Sequence, residues 1–522
     1  MRGVVRCLAV TAASAISLSV VGATVSAGGA ARSLVQPRRS QPTELNLTKD
    51  PKNRYGEPQI AVNPKNPKNL VYAALTMGLT YACQHAKRPE CQAVDTAFAP
   101  QPKGLIDNKP GFSHVSVFMS FDLGKTWKKS GDVPAFPPGH SALVERGDPL
   151  LTVGPDGTFY LGWDDIRFGN LDGTIIDAGG IAVTKSTNGG RSWSKPVLTG
   201  TPVDRPFFAV DDSTGMIYEA STGQLGSPSK GDPKLPPIPI TAPGDRWLVA
   251  SRDGVHWTEP KPFGGVGAFP PGTFGAAAGG MFATAFKTSN ADLCAGPPQC
   301  TVFQTTTDAG ATWSRHVVSL PSDASGAPLV AADPQAPGRF TIAVLTGGQA
   351  QFSVYQTQDA GNTWSGPTTI TDDPTKTHFH PWMAYSPKGV LGLMWQTNVN
   401  SAPAPAGGGL PAALSESVLE ALPEPVREGI EAQAAGPPSP YNVWAATSGD
   451  GGATFSEPLK ISKADSPAPQ PFLPYGIGDD FSFIALSGTH AFVGWADYRP
   501  GDRQGFFSAV DLDAFARNGT SG

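Results

Sequence analysis

The sequence predicts an all-β fold, a β-propeller of four-stranded blades with seven blades favoured over six, closed by an N-terminal strand. Three observations carry this. One eight-residue pattern occurs six times, at intervals of about fifty to ninety residues. Short apolar runs recur in the same order between its copies. The chain is turn-rich, with 61 glycines and 52 prolines among 522 residues. Repetition of one supersecondary unit, with short strands at even spacing, marks a radially repeated β architecture.

The pattern is Ser/Thr, any, Asp, any, Gly, any, Thr/Ser, aromatic. Its copies are Ser120 to Trp127, Ser186 to Trp193 (with Asn188 in the Asp place), Thr306 to Trp313, Thr357 to Trp364 and Ser448 to Phe455. One copy, Ser251 to Trp257, is a residue short. The hydroxyl and carboxylate are expected to bond backbone N–H groups within a turn, and the glycine to supply a positive φ. The aromatic is expected to pack under its own hairpin. These aspartates read as turn staples, so function must be sought elsewhere.

Seven strand-pair starts accompany the six copies. They begin at Glu57, Asp148, Asp204, Thr273, Ala327, His380 and Asp480, each followed by a second apolar run. The seventh unit has a third run, Gly505 to Val510, but no copy of the pattern. Its outer strand is expected from Thr43 to Thr48, which alternates with period two. That pairing would join the chain ends and remove an exposed sheet edge. If the seventh unit were an appendage, six blades would remain.

Residues 1–27 read as a secretory signal: Arg2 and Arg6, an apolar stretch from Cys7 to Val21, then Val25-Ser26-Ala27 before Gly28. A flexible lead (28–42), the propeller (43–513) and a tail (514–522) would follow. No later stretch is long and apolar enough to span a bilayer, so a secreted or cell-envelope location and no transmembrane anchor are expected. Four cysteines remain, suggesting local disulfides Cys83–Cys91 and Cys294–Cys300. A zinc site is the rival reading, but the histidines show no matching spacing. With 39 basic against 44 acidic residues, net charge −5, nucleic-acid binding is not expected. A monomer is.

In a four-stranded meander the repeats, which follow strand 3, lie on one face. The starts of strand 1, the ends of strand 2 and the loops from strand 2 to strand 3 lie on the other, here called the top. The chain's extra residues fall in those loops: 80–113, Ile166 to Gly179, 221–244 and 398–440. Within the last, Pro411 to Ala434 has apolar residues at helical spacing, suggesting a broken amphipathic helix or a surface linker. Loops gathered on one side of a rigid scaffold are where binding and catalysis concentrate.

Polar residues expected at the top include Arg54, Tyr55, Glu57, Asp148, Asp204, Arg205, His378, His380, Tyr475, Asp164, Asp165, Arg167, Glu219, Gln396, Asp497, Tyr498 and Arg499. Trp163-Asp164-Asp165-Ile166-Arg167 and Trp495-Ala496-Asp497-Tyr498-Arg499 are near-copies. A sugar could stack on Trp or Tyr there while an arginine forks onto an anionic group, and paired carboxylates could run glycoside hydrolysis. The competing reading is structural, with the acids capping strand starts and the Asp-x-Arg pairs forming salt bridges within a blade. No cofactor is expected. A structural calcium is conceivable, though without EF-hand-like spacing.

The repeats resemble the Asp-box, or BNR repeat, of the sialidase superfamily, over roughly residues 43–513. The resemblance implies a sialidase-like exo-glycosidase with an arginine triad, a tyrosine nucleophile assisted by glutamate, and an aspartic acid. Carried onto this chain, it offers Arg167, Arg205 and Arg499 as the triad, with Asp204, Trp163 and Trp495 lining the sugar. Tyr475 or Tyr498 beside Glu219 would be the nucleophile, and Asp148 the acid. Where that family carries Arg-Ile-Pro, this chain reads Arg54-Tyr55-Gly56-Glu57-Pro58, and its nearest likeness is Asp204-Arg205-Pro206. The function expected is a secreted sialidase-like hydrolase of extracellular glycans. The alternative is a non-catalytic propeller binding a polysaccharide or protein at the cell surface.

Overall fold

A computed structural model describes residues 42–50, 53–78, 113–130, 133–134, 143–168, 176–201, 206–222, 246–263, 275–288, 290–294, 299–400, 439–467, 482–501 and 503–516. All lie in the compact unit Ser40–Gly522. Seven four-stranded antiparallel sheets make seven blades. After β1 (Thr43–Asn46), blade 1 contains β2 (Asn53–Val62), β3 (Leu70–Gly78), β4 (Ser113–Ser120) and β5 (Lys128–Lys129). Blade 2 contains β6 (Leu143–Val153), β7 (Phe159–Phe168), β8 (Ile176–Ser186) and β9 (Val197–Leu198). Blade 3 has β10 (Phe207–Asp211), β11 (Met216–Thr222), β12 (Arg246–Ser251) and β13 (Lys261–Phe263). In blade 4, β14 (Gly275–Ala278), β15 (Met281–Thr288) and a short helix α1 (Ala291–Cys294) precede β16 (Cys300–Thr306) and β17 (Ser314–Val318). Blade 5 has β18 (Ser325–Ala332), β19 (Phe340–Thr346), β20 (Gln351–Thr357) and β21 (Ser365–Ile370). Blade 6 has β22 (His378–Tyr385), β23 (Leu391–Asn398), β24 (Tyr441–Ser448) and β25 (Leu459–Lys460). Blade 7 has β26 (Phe483–Leu486), β27 (His490–Asp497) and β28 (Gln504–Asp511), followed by α2 (Leu512–Ala516).

The outer strand of blade 7 is β1, paired Thr43 to Ala509 through Asn46 to Phe506, as the alternation of Thr43–Thr48 predicts. The closure is also held by side chains. Arg499 Nε and Nη2 donate to Asp497 at 2.9 and 2.7 Å, and its Nη1 donates to Glu44 of the N-terminal strand at 2.9 Å. The guanidinium lies 4.7 Å from the Phe506 ring centroid.

The core lies between blades. Each seam holds one apolar cluster, such as Ile60, Tyr72 and Phe507 between blades 7 and 1, or Tyr218, Leu248 and Phe282 between blades 3 and 4. The repeats sit at these seams. Ser120 Oγ accepts the Gly124 N–H at 2.9 Å and donates to Asp122 at 2.8 Å, while Asp122 accepts the Thr126 N–H and hydroxyl at 2.9 and 2.6 Å. The same bonds recur around Asp308, Asp359 and Asp450. In the variants, Asn188 turns the last bond round by donating to Ser192, and His256 replaces the hydroxyl beside Asp253. Four donors on one carboxylate stabilise its ionised form, and Thr312 and Thr363 hold Asp308 and Asp359 down at about 2.

The glycine supplies the positive φ expected of it, and left-handed backbone extends to the residue before it, as in Leu123 and Gly124 (φ 64° and 79°) or Ala360 and Gly361 (φ 56° and 100°). The aromatic folds back onto its own turn, the Trp127 indole donating to the Gly124 carbonyl at 2.9 Å and the Trp364 indole to that of Gly361 at 3.1 Å. It also packs across the seam. Trp127 of blade 1 meets Phe507 of blade 7 at 5.0 Å, and Trp364 of blade 5 meets Phe303 of blade 4 at 5.1 Å. The glycine lets the turn press onto the same neighbour, since a Cβ on Gly361 would stand 2.6 Å from the Phe303 ring.

Within the stretch Ile166 to Gly179, the described residues 166–168 and 176–179 extend the β7–β8 hairpin, which pairs through Phe168 and Ile176. The Cys294–Cys300 disulfide is present across the β15–β16 connection. Cys83, Cys91, the 1–27 segment and the helix expected at Pro411–Ala434 lie outside the described residues.

Gly361→Ala is expected to lower the melting temperature by several degrees, whereas Ala360→Gly, at an easier φ for glycine, should leave it nearly unchanged. Arg499→Met leaves the fully buried Asp497 without its cation and should cost about 3–5 kcal/mol in urea denaturation. An unchanged midpoint would remove the clasp from the account of closure.

Candidate functional site: the top of the central channel

The inner strands β2, β6, β10, β14, β18, β22 and β26 surround a central cavity of about 240 Å³. Near its top end three of them carry the same β-bulge. Glu57-Pro58 in β2, Asp148-Pro149 in β6 and His380-Pro381 in β22 each set two residues against one, opposite Ala74, Trp163 and Trp395. In each, the residue before proline has a positive φ: 48° at Glu57, 44° at Asp148 and 45° at His380. Such a conformation costs a non-glycine residue about 1–3 kcal/mol and persists only where surroundings over-determine it. Here the proline fixes one side and the register of the sheet the other. Bulges re-aim side chains next to functional sites.

The bulges of blades 1 and 2 are linked, because the Asp148 N–H donates to Glu57 Oε2 at 3.1 Å. The Glu57 carboxylate is buried. The end of β7 adds Asp164 and Asp165, also buried, and Gly147 pairs with Asp164. Glu57 of blade 1 thus meets the bulge of blade 2, while Asp164 and Asp165, adjacent on β7, point to opposite faces of that blade. In blade 6, burial pulls His380 down to about 4, partly opposed by the Gln396 side chain, so the ring is neutral near pH 7.

The near-copied segments behave alike. The Trp495 indole donates to Asp497 at 2.8 Å and the Trp163 indole approaches Asp165 at 3.5 Å. Asp165 also accepts Arg146 Nε at 3.2 Å, the counterpart of the Arg499–Asp497 pair. Trp395 repeats the theme by donating to Asp372 at 2.6 Å. Trp163 and Trp495 are buried, so their rings form seam core and are closed to a sugar arriving from above. Arg499 is taken up in closure.

Glu219 stands on β11 at the seam of blades 2 and 3, fully buried, accepting the Thr201 hydroxyl at 2.7 Å. Burial pushes its pKa up to about 8, against the pull of Thr201 and Thr199. Tyr498 packs in the cluster of blades 6 and 7, its N–H donating to Ser466 Oγ at 3.0 Å. Glu219 and Tyr498 thus stand on different blades. Arg167 lies on β7, opposite Ala178. Asp204, Arg205 and Tyr475 lie outside the described residues.

Sequence reasoning put Glu57 at the top but outside the catalytic set. The signal was available, since Glu57-Pro58 stands in its blade where Asp148-Pro149 stands in the next. It missed two buried arginines at the top ends of third strands, Arg246 and Arg503. Arg246 lies 5.6 Å from the Phe286 ring centroid, and burial lowers its pKa to about 10.

By its sheets the protein is a seven-bladed β-propeller. No family model matches the sequence, and no curated protein is similar to it. Among solved structures, a Hadza microbial sialidase is 15% identical over 77% of this chain and 73% of its own, with a TM-score of 0.41. A protein of unknown function from Dyadobacter fermentans is 14% identical over 91% and 98%, with a TM-score of 0.44. An α-L-arabinofuranosidase from Fusarium graminearum is 14% identical over 70% and 93%, with a TM-score of 0.38.

The raised pKa of Glu219 has a consequence for stability. The folded state keeps its proton up to about 8, whereas the unfolded chain loses it near 4.5. Its stabilising contribution is complete below that lower value and fades as pH rises through the folded one, by at most about 1.4 kcal/mol per pH unit. Glu219→Gln should therefore flatten the fall in melting temperature between pH 5 and pH 8. Parallel curves for the two proteins would contradict a protonated Glu219.

Proposed function

We propose that the protein is a secreted glycoside hydrolase acting on extracellular glycans, with its chemistry at the top mouth of the channel. The observation that carries this is the hydrogen bond from the Asp148 N–H to Glu57 Oε2. It joins two acidic residues from neighbouring blades, both held at positive φ. Glycoside hydrolysis needs two carboxyl groups, one to protonate the leaving oxygen and one to act as base or nucleophile. In this reading Glu57, anchored by that N–H, is the base or nucleophile and Asp148 is the acid.

Asp148 keeps the role that the sialidase resemblance implies, while Glu57 replaces Glu219, which is sealed in a seam. Arg54, on the inner strand with Glu57, and Arg205 are the cations offered to an acidic sugar, since a guanidinium forks onto a carboxylate with two parallel bonds. Tyr475 remains the nucleophile offered by the resemblance should Glu57 act through it.

The test is turnover of a panel of fluorogenic glycosides, sialosides included, by purified protein. Glu57→Gln and Asp148→Asn should each lower kcat by about 10²- to 10⁴-fold with little change in melting temperature. Turnover untouched by both substitutions would overturn the assignment. Saturable glycan binding without turnover would favour the non-catalytic propeller.

A further inference from the structure

The third bulge, in blade 6, carries a histidine that the proposed hydrolysis does not use. His380 stands before Pro381 as Glu57 and Asp148 stand before Pro58 and Pro149, at the same place on its inner strand. His378, two residues back, is packed as core. It is fully buried, its Nε2 lies 2.8 Å from Thr371 Oγ1, and its ring stacks on Phe352 at 5.9 Å. His380 differs on each count. It is half-buried, it sits at positive φ, and its buried Nδ1 has no hydrogen bond.

The Gln396 carboxamide answers that nitrogen. Gln396 pairs with Phe379 across the sheet and is fully buried. Its Nε2 donates to Ser482 Oγ, just ahead of β26, at 2.6 Å. That bond turns Oε1 the other way, where it is buried and otherwise unsatisfied. The Gln396 side chain also raises the basicity of His380 against the pull of burial, as an oxygen facing a ring N–H does. Each buried polar atom left without a partner costs about 1–3 kcal/mol. One proton on Nδ1, directed at Oε1, serves both atoms. The bond made by one ring nitrogen sets the state of the other, so the lone pair falls on Nε2, at the opposite edge of the ring. A side chain on a bulge, at positive φ and tethered from behind, is an aimed one.

We propose that His380 is a substrate-binding residue of the mouth, its Nε2 accepting a hydroxyl or amide N–H of the glycan and turning away a carboxylate. This rests on the proposed function only in taking a glycan as the ligand; hydrolysis is not required. An acidic sugar then binds with a hydroxyl toward blade 6 and its acid group elsewhere.

Diethyl pyrocarbonate acylates an accessible, unprotonated imidazole nitrogen. Near pH 5 an ordinary histidine is protonated, whereas His380 is not. Peptide mapping after brief exposure near that pH should find His380 labelled ahead of the other histidines. The probes for protection are the fluorogenic glycosides, sialosides included, and at least one should slow the labelling. His380→Asn, which tolerates positive φ, should raise KM for the glycoside turned over by about tenfold with little change in kcat. Gln396→Met, which frees the ring, should raise it less, with melting curves identifying any variant that fails to fold. An unlabelled His380 in the folded protein, or labelling that no glycoside slows, overturns the proposal whatever the turnover. An unmoved KM in folded His380→Asn also overturns it and leaves the hydrolase reading standing. Labelling slowed by a glycoside that is never turned over upholds His380 and removes the hydrolase reading.

Discussion

The structure depends on one joint used repeatedly: a turn whose glycine touches the blade before it. Two consecutive left-handed residues, seen at Leu123 and Gly124 and again at Ala360 and Gly361, fold the chain tightly enough to bring backbone against a neighbouring ring. The hydroxyl and carboxylate of the repeat satisfy the N–H groups that this fold exposes. The closing aromatic then reaches across, as Trp127 does to Phe507. A blade is a sheet with two apolar faces and cannot bury them by itself. Coupling each to its predecessor at the bottom holds the inner strands in a ring, and the ring creates the channel.

Closing that ring takes a different device, because blade 7 has no repeat. The N-terminal strand supplies the missing edge, and Arg499 ties Asp497 of blade 7 to Glu44 of the strand. The near-copy in blade 2 uses Arg146 on Asp165 in the same manner. In blade 7 a motif that looks suited to grip an anionic sugar is thus a means of compensating a buried carboxylate, and in blade 2 the motif's Asp165 takes its cation from β6. Burial decides between these roles, and a single sequence does not state burial.

Blade number, the closing strand and the separation of repeats from the loop-bearing face were legible in the sequence because they follow from periodicity and topology. The reach of each repeat's aromatic was legible only in part: the indole bonds its own turn, as at Trp127 and Trp364, but its packing onto the neighbouring blade depends on a partner the local pattern does not contain. The candidate site was half legible. Asp148 and Glu57 were placed at the top by counting strands, but their pairing depends on a bulge that turns Asp148's N–H toward the preceding blade. Glu219 was misleading for a related reason: strand alternation puts it on a seam-facing side of β11, where Thr201 holds it.

The proposed reactivity lies at the mouth, on carboxylates carried by strained bulges. Covalent labelling with an epoxyalkyl glycoside, followed by peptide mapping, tests it most directly. One label per chain is expected, on Glu57 or Asp148, with protection by competing glycan. Stoichiometric, glycan-protected labelling of a residue away from the channel mouth would contradict it.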